Sequence, residues 1–286
     1  MKKEDINIRD PFILAEDGKY YLYGTRARSF GIKTGGFDVY VSEDLIDWSE
    51  PHECFDSVAF SLNSRVNWAP EVHKYGGRYY MFASLTQENG LKGTYILSAD
   101  SPTGPFVPHS RGAVTPKEWE CIDGTFYVGK DKKPYIVFCH EHSQIVDGTI
   151  CFARLSDDLA ECVTEPMTLF AASSCPWVDR HEGTGHFVTD GPFMYRTKDG
   201  ELLMIWSSFI KEQYAELQVR FTGGEIGTDF VHLPPIIDDD GGHGMIFEKD
   251  GELNLIFHSP NTKGLERPAV TRLFDNGDSL SVVKTK

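Results

Sequence analysis

Five polar residues, Asp10, Glu71, Asp123, Asp190 and His243, each stand just ahead of a short apolar run, in the stretches RDPFIL, APEVH, IDGTFY, TDGPFMY and GHGMIF. Four carboxylates and an imidazole brought to one place could not all keep their usual charge, because like charges at close range drive pKa values apart. A protonated carboxyl beside an ionised one is the equipment of acid–base hydrolysis: one group deprotonates a water while the other delivers a proton to the leaving oxygen. Cleavage of a glycosidic bond is the chemistry such a set would serve. The competing reading is structural, since Asp before Pro or Gly also caps strands and bonds backbone amides in turns.

What could bring these residues together is a repeat. In four of the five stretches the apolar run leads to a charged turn containing Gly: Asp17-Gly18, Gly76-Gly77, Asp199-Gly200 and Asp250-Gly251. The third stretch has Lys-Asp-Lys-Lys-Pro, ending at Pro134, in its place. A second apolar run follows, closed by a small hydroxyl or polar residue. Two apolar runs around such a turn are the sequence form of a β-hairpin. The polar residues stand 61, 52, 67 and 53 residues apart, a period of nearly 60 with insertions.

After the hairpins come FDVYVSEDLIDWSEP, GTYILSADSPTGPFVPH, TICFARLSDDLAECVTEP and YAELQVRFTGGEIGTDFVHL, each an alternating strand, a turn and a short strand. Five four-stranded antiparallel sheets at that period predict an all-β, five-bladed β-propeller around a central channel, a single domain over 1–286. A large β-sandwich is the alternative. In a propeller the first strand of each blade lies nearest the axis, so the residue that opens it can project toward one end of the channel.

Composition agrees: 13% aromatic and 40% hydrophobic residues with 27 Gly and 15 Pro describe a turn-rich chain able to bury a large core. A formal net charge of −15 excludes nucleic acid and anionic membranes as expected partners, because a basic footprint is missing. No run approaches 18 apolar residues, and MKKEDINIRD lacks the apolar segment of a secretory signal, so a cytoplasmic location is expected unless a leader has been removed. Cys54, Cys121, Cys139, Cys151, Cys162 and Cys175 show no metal-like spacing and read as buried free thiols. TGGEIG lacks both the lysine and the strand-to-helix setting of a phosphate loop.

In order, RDPF, WAPEVH, IDGTFY, DGPFMY and GGHGMIF resemble the motifs of glycoside hydrolase family 43, five-bladed propellers that remove or cleave arabinose and xylose units with inversion at the anomeric carbon. The resemblance runs from Arg9 to about Pro268. It implies Asp10 as the general base, Asp123 as the aspartate that raises and orients the acid, and Asp190 as the general acid. It also implies a bound calcium or a water cluster near His243, although calcium prefers oxygen ligands and a lone imidazole is an incomplete set. Asp238, Asp239 and Asp240 lack the spacing of a calcium loop and read as solvated. Arg267 would hold a sugar hydroxyl or orient a carboxylate, as an arginine in that region does in the family; a salt bridge to Glu266 is the alternative.

One motif departs from the family. Where Glu-Gly-Pro is usual, this chain has Asp190-Gly191-Pro192, a reach shorter by roughly 1.5 Å. Asp190 can still be the acid; Glu182 in DRHEGTG or Glu71 can take over; or the site only binds sugar. Sugar also needs a flat apolar face and hydroxyl partners. Trp68 is chosen as that face, ahead of Phe30 and Trp177 in the blade connections, with Glu71 beside it. The expected ligand is a short arabinose- or xylose-containing oligosaccharide. Exo-acting α-L-arabinofuranosidase is the first expectation, β-xylosidase the second and endo-arabinanase the third. A catalytically silent sugar-binding propeller is the alternative from another class.

Overall fold

The computed structural model describes residues 1–27 and 35–283. Within them, twenty strands form five antiparallel sheets of four, each built from consecutive strands. Blade 1 is β1 (Ile8–Glu16), β2 (Lys19–Arg26), β3 (Phe37–Ser42) and β4 (His52–Phe55). Blade 2 is β5 (Asn63–Tyr75), β6 (Arg78–Thr86), β7 (Lys92–Ala99) and β8 (Val107–Pro108). Blade 3 is β9 (Cys121–Val128), β10 (Pro134–His140), β11 (Thr149–Arg154) and β12 (Met167–Ala171). Blade 4 is β13 (Asp190–Arg196), β14 (Leu202–Ile210), β15 (Gln213–Phe221) and β16 (Phe230–Ile237). Blade 5 is β17 (Gly242–Lys249), β18 (Glu252–Ser259), β19 (Arg267–Asp275) and β20 (Leu280–Val282). The five-bladed propeller expected from the repeat is the fold of the chain.

Three of the Gly-containing turns are tight two-residue connections with both residues left-handed, Asp17-Gly18, Gly76-Gly77 and Asp250-Gly251, the geometry that matches strand twist. Two outer strands lie later than the repeat suggested. In blade 1 the DLIDW segment is a turn, its Ile46 and Asp47 amides donated to Asp44 Oδ1 at 2.8 Å, so β4 starts at His52. In blade 3 the LAEC segment makes only a bridge, Leu155 to Cys162, and β12 starts at Met167.

The core lies between blades. On β6, Tyr80 and Phe82 pack against Cys121, Ile136 and Phe138 of blade 3, while Met81 and Ala83 join the cluster of Leu22 and Tyr23 of blade 1. On β14, Leu203 and Ile205 meet Ile246 and Leu255 of blade 5, while Met204 and Trp206 meet Val137 and Ile150 of blade 3. Alternate residues of one strand thus serve two neighbours, which is why the second strands read as unbroken apolar runs. All six cysteines are free thiols, five of them buried.

Every innermost strand breaks its ladder at one equivalent place, and β5 does so a second time, between Asn63 and Asn67. The register slips between Arg9 and Phe12 on β1, Trp68 and Glu71 on β5, Ile122 and Thr125 on β9, Asp190 and Phe193 on β13, and Gly242 and Met245 on β17. The first bulged residue is left-handed in each: Asp10 (φ 52°), Ala69 (45°), Asp123 (57°), Gly191 (49°) and His243 (54°). The residue after it is Pro11, Pro70 or Pro192, or else Gly124 or Gly244, and Pro is admitted within a sheet where a bulge leaves its missing amide unneeded.

The amide of the left-handed residue turns out of its own sheet and is caught by the preceding blade. Ala69 N–H donates to Thr25 Oγ1 at 2.7 Å, Asp123 N–H to Ser84 Oγ at 2.9 Å and His243 N–H to Ser207 Oγ at 2.7 Å. Around the ring, Asp10 N–H donates to His258 Nδ1 at 3.2 Å, so blade 5 holds blade 1 as each blade holds the next. Among the described residues, no strand is exchanged between the first and last blades. Closure is completed by Arg9 Nη1 on Glu266 Oε1 at 3.0 Å, Asn7 Nδ2 on the Glu266 carbonyl at 2.8 Å and Arg267 Nε on the Glu4 carbonyl at 2.8 Å.

Replacing Ser84, fully buried, by Ala leaves the Asp123 amide without its partner. Denaturant unfolding of Ser84→Ala is expected to show a loss of about 1–3 kcal/mol, and Ser84→Thr, which keeps the hydroxyl, should lose less.

Candidate active site

The bulge decides which side chains face one end of the channel. Its left-handed residues contribute Asp10, Asp123 and His243, and the residues just before them contribute Arg9, Trp68, Ile122 and Asp190; all seven line one cleft of about 220 Å³. Lys92, Glu141, His142 and Tyr214 complete its walls. A larger cavity, about 560 Å³, lies elsewhere, between the 111–117 segment and residues 158–166. Its acidic residues, Asp158, Glu161 and Glu165, are exposed, so the chemistry belongs to the smaller cleft.

The five polar residues are therefore not structurally equivalent. Asp10, Asp123 and His243 share the bulge position. Asp190 precedes it by one residue, where blades 1 and 2 carry Arg9 and Trp68. Glu71 follows it by two and lines a small void beneath the cleft with Phe12 and Met245, its Oε2 on His73 Nε2 at 3.0 Å. The true equivalents are marked in the sequence by Pro or Gly one residue later: Asp10-Pro11, Ala69-Pro70, Asp123-Gly124, Gly191-Pro192 and His243-Gly244.

Three buried ionisable groups at one depth arrange their charges accordingly. His243 Nδ1 lies 3.2 Å from Asp10 Oδ1 and 3.9 Å from Asp123 Oδ2. Burial alone would lower the imidazole, but Asp10, Asp123 and Asp190, with Glu71 beneath, outweigh it and raise it to about 9. Burial likewise works to raise Asp10, yet His243, Arg9 and the Thr25 hydroxyl, which donates to Oδ2 at 2.6 Å, hold it below its ordinary value. Asp123 goes the other way. Its burial, with Asp190 and Asp10 adding, pushes it up to about 7 against the pull of His243 and of the Gly191 amide, which donates to Oδ2 at 3.0 Å. Asp10 is held toward its ionised form, Asp123 toward its protonated form, and the imidazole between them toward its cationic form.

Two neighbours fix this set. His258 Nδ1 accepts the Asp10 amide, so its proton sits on Nε2, toward Asn261 Oδ1 at 3.2 Å; burial lowers its pKa to about 3 and keeps it neutral. Glu216 Oε2 accepts the Gly244 amide at 2.8 Å and the Ser207 hydroxyl at 3.0 Å, clamping the His243–Gly244 segment from below. Burial raises Glu216 to about 7.

Asp190 is half-buried and accepts the Tyr214 hydroxyl on Oδ2 at 3.1 Å. Burial, then Asp190 itself, raise the Tyr214 phenol well above its ordinary value, so it remains a donor. Gly191 next to it cannot be replaced without strain: it is left-handed, and a Cβ there would lie 2.7 Å from His243 Cδ2. Trp68 lines the cleft with the Lys92 ammonium 5.4 Å above its ring. Lys92 is itself held by Glu141 and lies 3.6 Å from Glu120.

Other expected residues lie elsewhere. Arg267 opens β19 and donates to the carbonyls of Glu4 and Glu266, away from the cleft; the Glu266 carboxylate belongs to Arg9. Trp177 packs against the core between blades 3 and 4, and Glu182 is exposed on its loop. Phe30 lies outside the described residues. Asp238 and Asp239 are exposed, as a solvated loop should be. Calcium prefers oxygen ligands and the imidazole of His243 supplies none, so a calcium near it would have to be held by the Asp10 and Asp123 carboxyls that already face the ring. Among the described residues no group of three or more His, Cys, Asp or Glu side chains is arranged to hold a metal.

Sequence reasoning did not single out Arg9, Lys92, Glu141, His142, Tyr214 or His258. Arg9 and His258 were within reach of it, Arg9 as the neighbour of Asp10 and His258 as the polar residue closing the fifth hairpin. Lys92 opens β7, and Glu141 and His142 follow β10, with no repeat to announce them.

The family model of glycosyl hydrolases family 43 matches residues 5–273. The crystal structure of an endo-arabinase from Bacteroides thetaiotaomicron superposes with a TM-score of 0.87 at 36% identity, covering 96% of each chain. A probable arabinan endo-1,5-alpha-L-arabinosidase C of Aspergillus clavatus is 24% identical over 275 residues, 86% of this chain and 80% of that protein. A xylosidase/arabinosidase of Bacteroides ovatus is 24% identical over 187 residues, 55% of this chain and just over half, 57%, of that relative.

The charge arrangement predicts the response of stability to pH. His243 has a raised folded-state pKa, so its contribution is full below about pH 6.5 and is lost as pH rises through about 9. Asp10, held low, contributes above about pH 4 and loses that contribution on acidification. Thermal unfolding of wild type and His243→Gln should differ most below neutrality and converge at alkaline pH; a constant difference would contradict the protonated imidazole.

Proposed function

Because the chain belongs to glycosyl hydrolases family 43, we propose that its cleft cleaves α-arabinofuranosyl linkages with inversion at the anomeric carbon. The observation that carries this reading is the pairing of an ionised Asp10 with a raised Asp123 across His243. In the proposed reaction Asp10 takes a proton from a water whose oxygen bonds to the anomeric carbon, and Asp190 gives a proton to the glycosidic oxygen as the carbon–oxygen bond breaks. Asp123 is the orienting carboxyl, joined to the backbone directly after Asp190 through the Gly191 amide. Tyr214 steadies the Asp190 carboxyl from the opposite side.

A cleft of about 220 Å³ is smaller than the roughly 300–1,000 Å³ of sites for drug-sized ligands, which suits one pentose ring with the rest of the chain outside. Trp68, which lines the cleft, is the aromatic side chain proposed to stack on that ring. Arabinan is favoured over xylan by the name of the relative at 36% identity over 96% of both chains. The endo-acting names of that protein and of the Aspergillus relative favour internal cleavage over the exo action that sequence reasoning placed first.

Proton NMR of the protein with linear arabino-oligosaccharides, followed from the earliest minutes, tests this. The expected result is a first product of inverted configuration, with mixed oligosaccharides for endo action or arabinose alone for exo action. Asp10→Ala should be inactive on every substrate. Asp190→Asn should lose about 10²–10⁴-fold on oligosaccharides, retain more on aryl glycosides whose leaving groups need no acid, and be partly rescued in Asp190→Glu. Binding without release of any sugar would leave a sugar-binding propeller instead.

A further inference from the structure

We propose that Cys139 is a positioning residue for the catalytic set: by placing no oxygen between blades 3 and 4, it leaves the Gly191 amide to the Asp123 carboxylate. The inference rests on the roles given above to Asp123 and Asp190.

Four blades share one device. The residue of the second strand that pairs with the residue before the bulge accepts the bulge amide of the next blade: Thr25 opposite Arg9, Ser84 opposite Trp68, Ser207 opposite Asp190 and His258 opposite Gly242. The corresponding residue of blade 3, opposite Ile122, is Cys139, fully buried. A thiol is a weak acceptor, and here the bulge amide of blade 4, Gly191 N–H, donates to Asp123 Oδ2 at 3.0 Å.

Blade 1 shows what an oxygen does in that place. The Thr25 hydroxyl accepts the Ala69 amide at 2.7 Å and donates to Asp10 Oδ2 at 2.6 Å, standing between the carboxylate and the next blade. In blade 3 nothing stands between, and the carboxylate touches the amide itself. That amide belongs to the planar peptide group joining Asp190 to Gly191. Gly191 is fixed in turn by its left-handed backbone and by the His243 ring packed against it. Holding this peptide plane therefore aims Asp190, and a hydroxyl at residue 139 would move Asp123 away from it.

The test compares Cys139→Ser with Cys139→Ala. Serine and alanine leave nearly the same volume unfilled, so packing alone predicts like losses of kcat in the two, and the cost of burying an unbonded serine hydroxyl registers in the unfolding temperature. Cys139→Ser should lose about ten- to a hundredfold in kcat on arabino-oligosaccharides, the scale of a misplacement of about 1 Å, with KM little changed and aryl glycosides less affected. Cys139→Ala should lose less kcat. The Gly191 amide proton, shifted downfield by its bond to the Asp123 carboxyl at 3.0 Å, should move upfield in Cys139→Ser and hold its place in Cys139→Ala. Equal losses in the two variants, or a greater loss of kcat in Cys139→Ala, would overturn the proposal. Wild-type protein inactive on every arabinoside would defeat the functional reading instead, and the Gly191 proton would still decide whether Cys139 sets the Asp123 contact.

Discussion

An amide that a β-bulge removes from its own ladder must find another acceptor if it is buried, because leaving it unpaired costs about as much as a whole hydrogen bond contributes. In this chain the acceptor belongs to the blade before. One local event in each innermost strand therefore does two things: it turns a side chain toward the channel, and it ties that side chain's backbone to the neighbouring blade. The ring closes without strand exchange because His258 does for Asp10 what Thr25 does for Ala69.

The same geometry creates an electrostatic problem. Asp10, Asp123 and His243 occupy equivalent positions, so the symmetry of the fold forces these three buried side chains together at the floor of the cleft. Two carboxylates there would repel, and a buried ion pair is weak evidence for stability because desolvation offsets the attraction. The chain resolves this by making one partner cationic and letting one acid keep its proton. In the proposed reaction the ionised Asp10 acts as the base, while Asp123 orients the Asp190 acid through the Gly191 amide.

Asp190 stands outside that symmetry. It precedes the bulge and shares its tier with Arg9, Trp68 and Ile122, nearer the strand entrance. Its side chain is shorter than the glutamate usual at this motif, and the surroundings hold it from two sides, Tyr214 on the carboxyl and Asp123 on the peptide group that follows. Cys139 belongs to this part of the site because blade 3 alone lacks an oxygen or ring nitrogen at the linking position.

The hairpins, their period and the five-bladed count are written in the sequence. Asp17-Gly18, Gly76-Gly77 and Asp250-Gly251 can adopt left-handed turns where few other pairs can, and the apolar runs beside them must be buried. Asp10, Asp123 and His243 were also legible, since a polar residue followed by Pro or Gly at the head of an apolar run marks a bulge. Glu71 and Asp190 were misaligned because they are the charged residues nearest to Pro70 and Pro192, whereas the bulge residues those prolines mark, Ala69 and Gly191, carry no polar side chain. The walls of the cleft were decided by tertiary structure alone. Lys92 on β7, His142 beyond β10 and Tyr214 on β15 come from different strands and loops of the ring. Their meeting depends on how the blades pack, a property of contacts distant in sequence. The protonation of His243 is of the same kind, for an imidazole in a chain has no charge state until burial and the carboxylates facing it decide one.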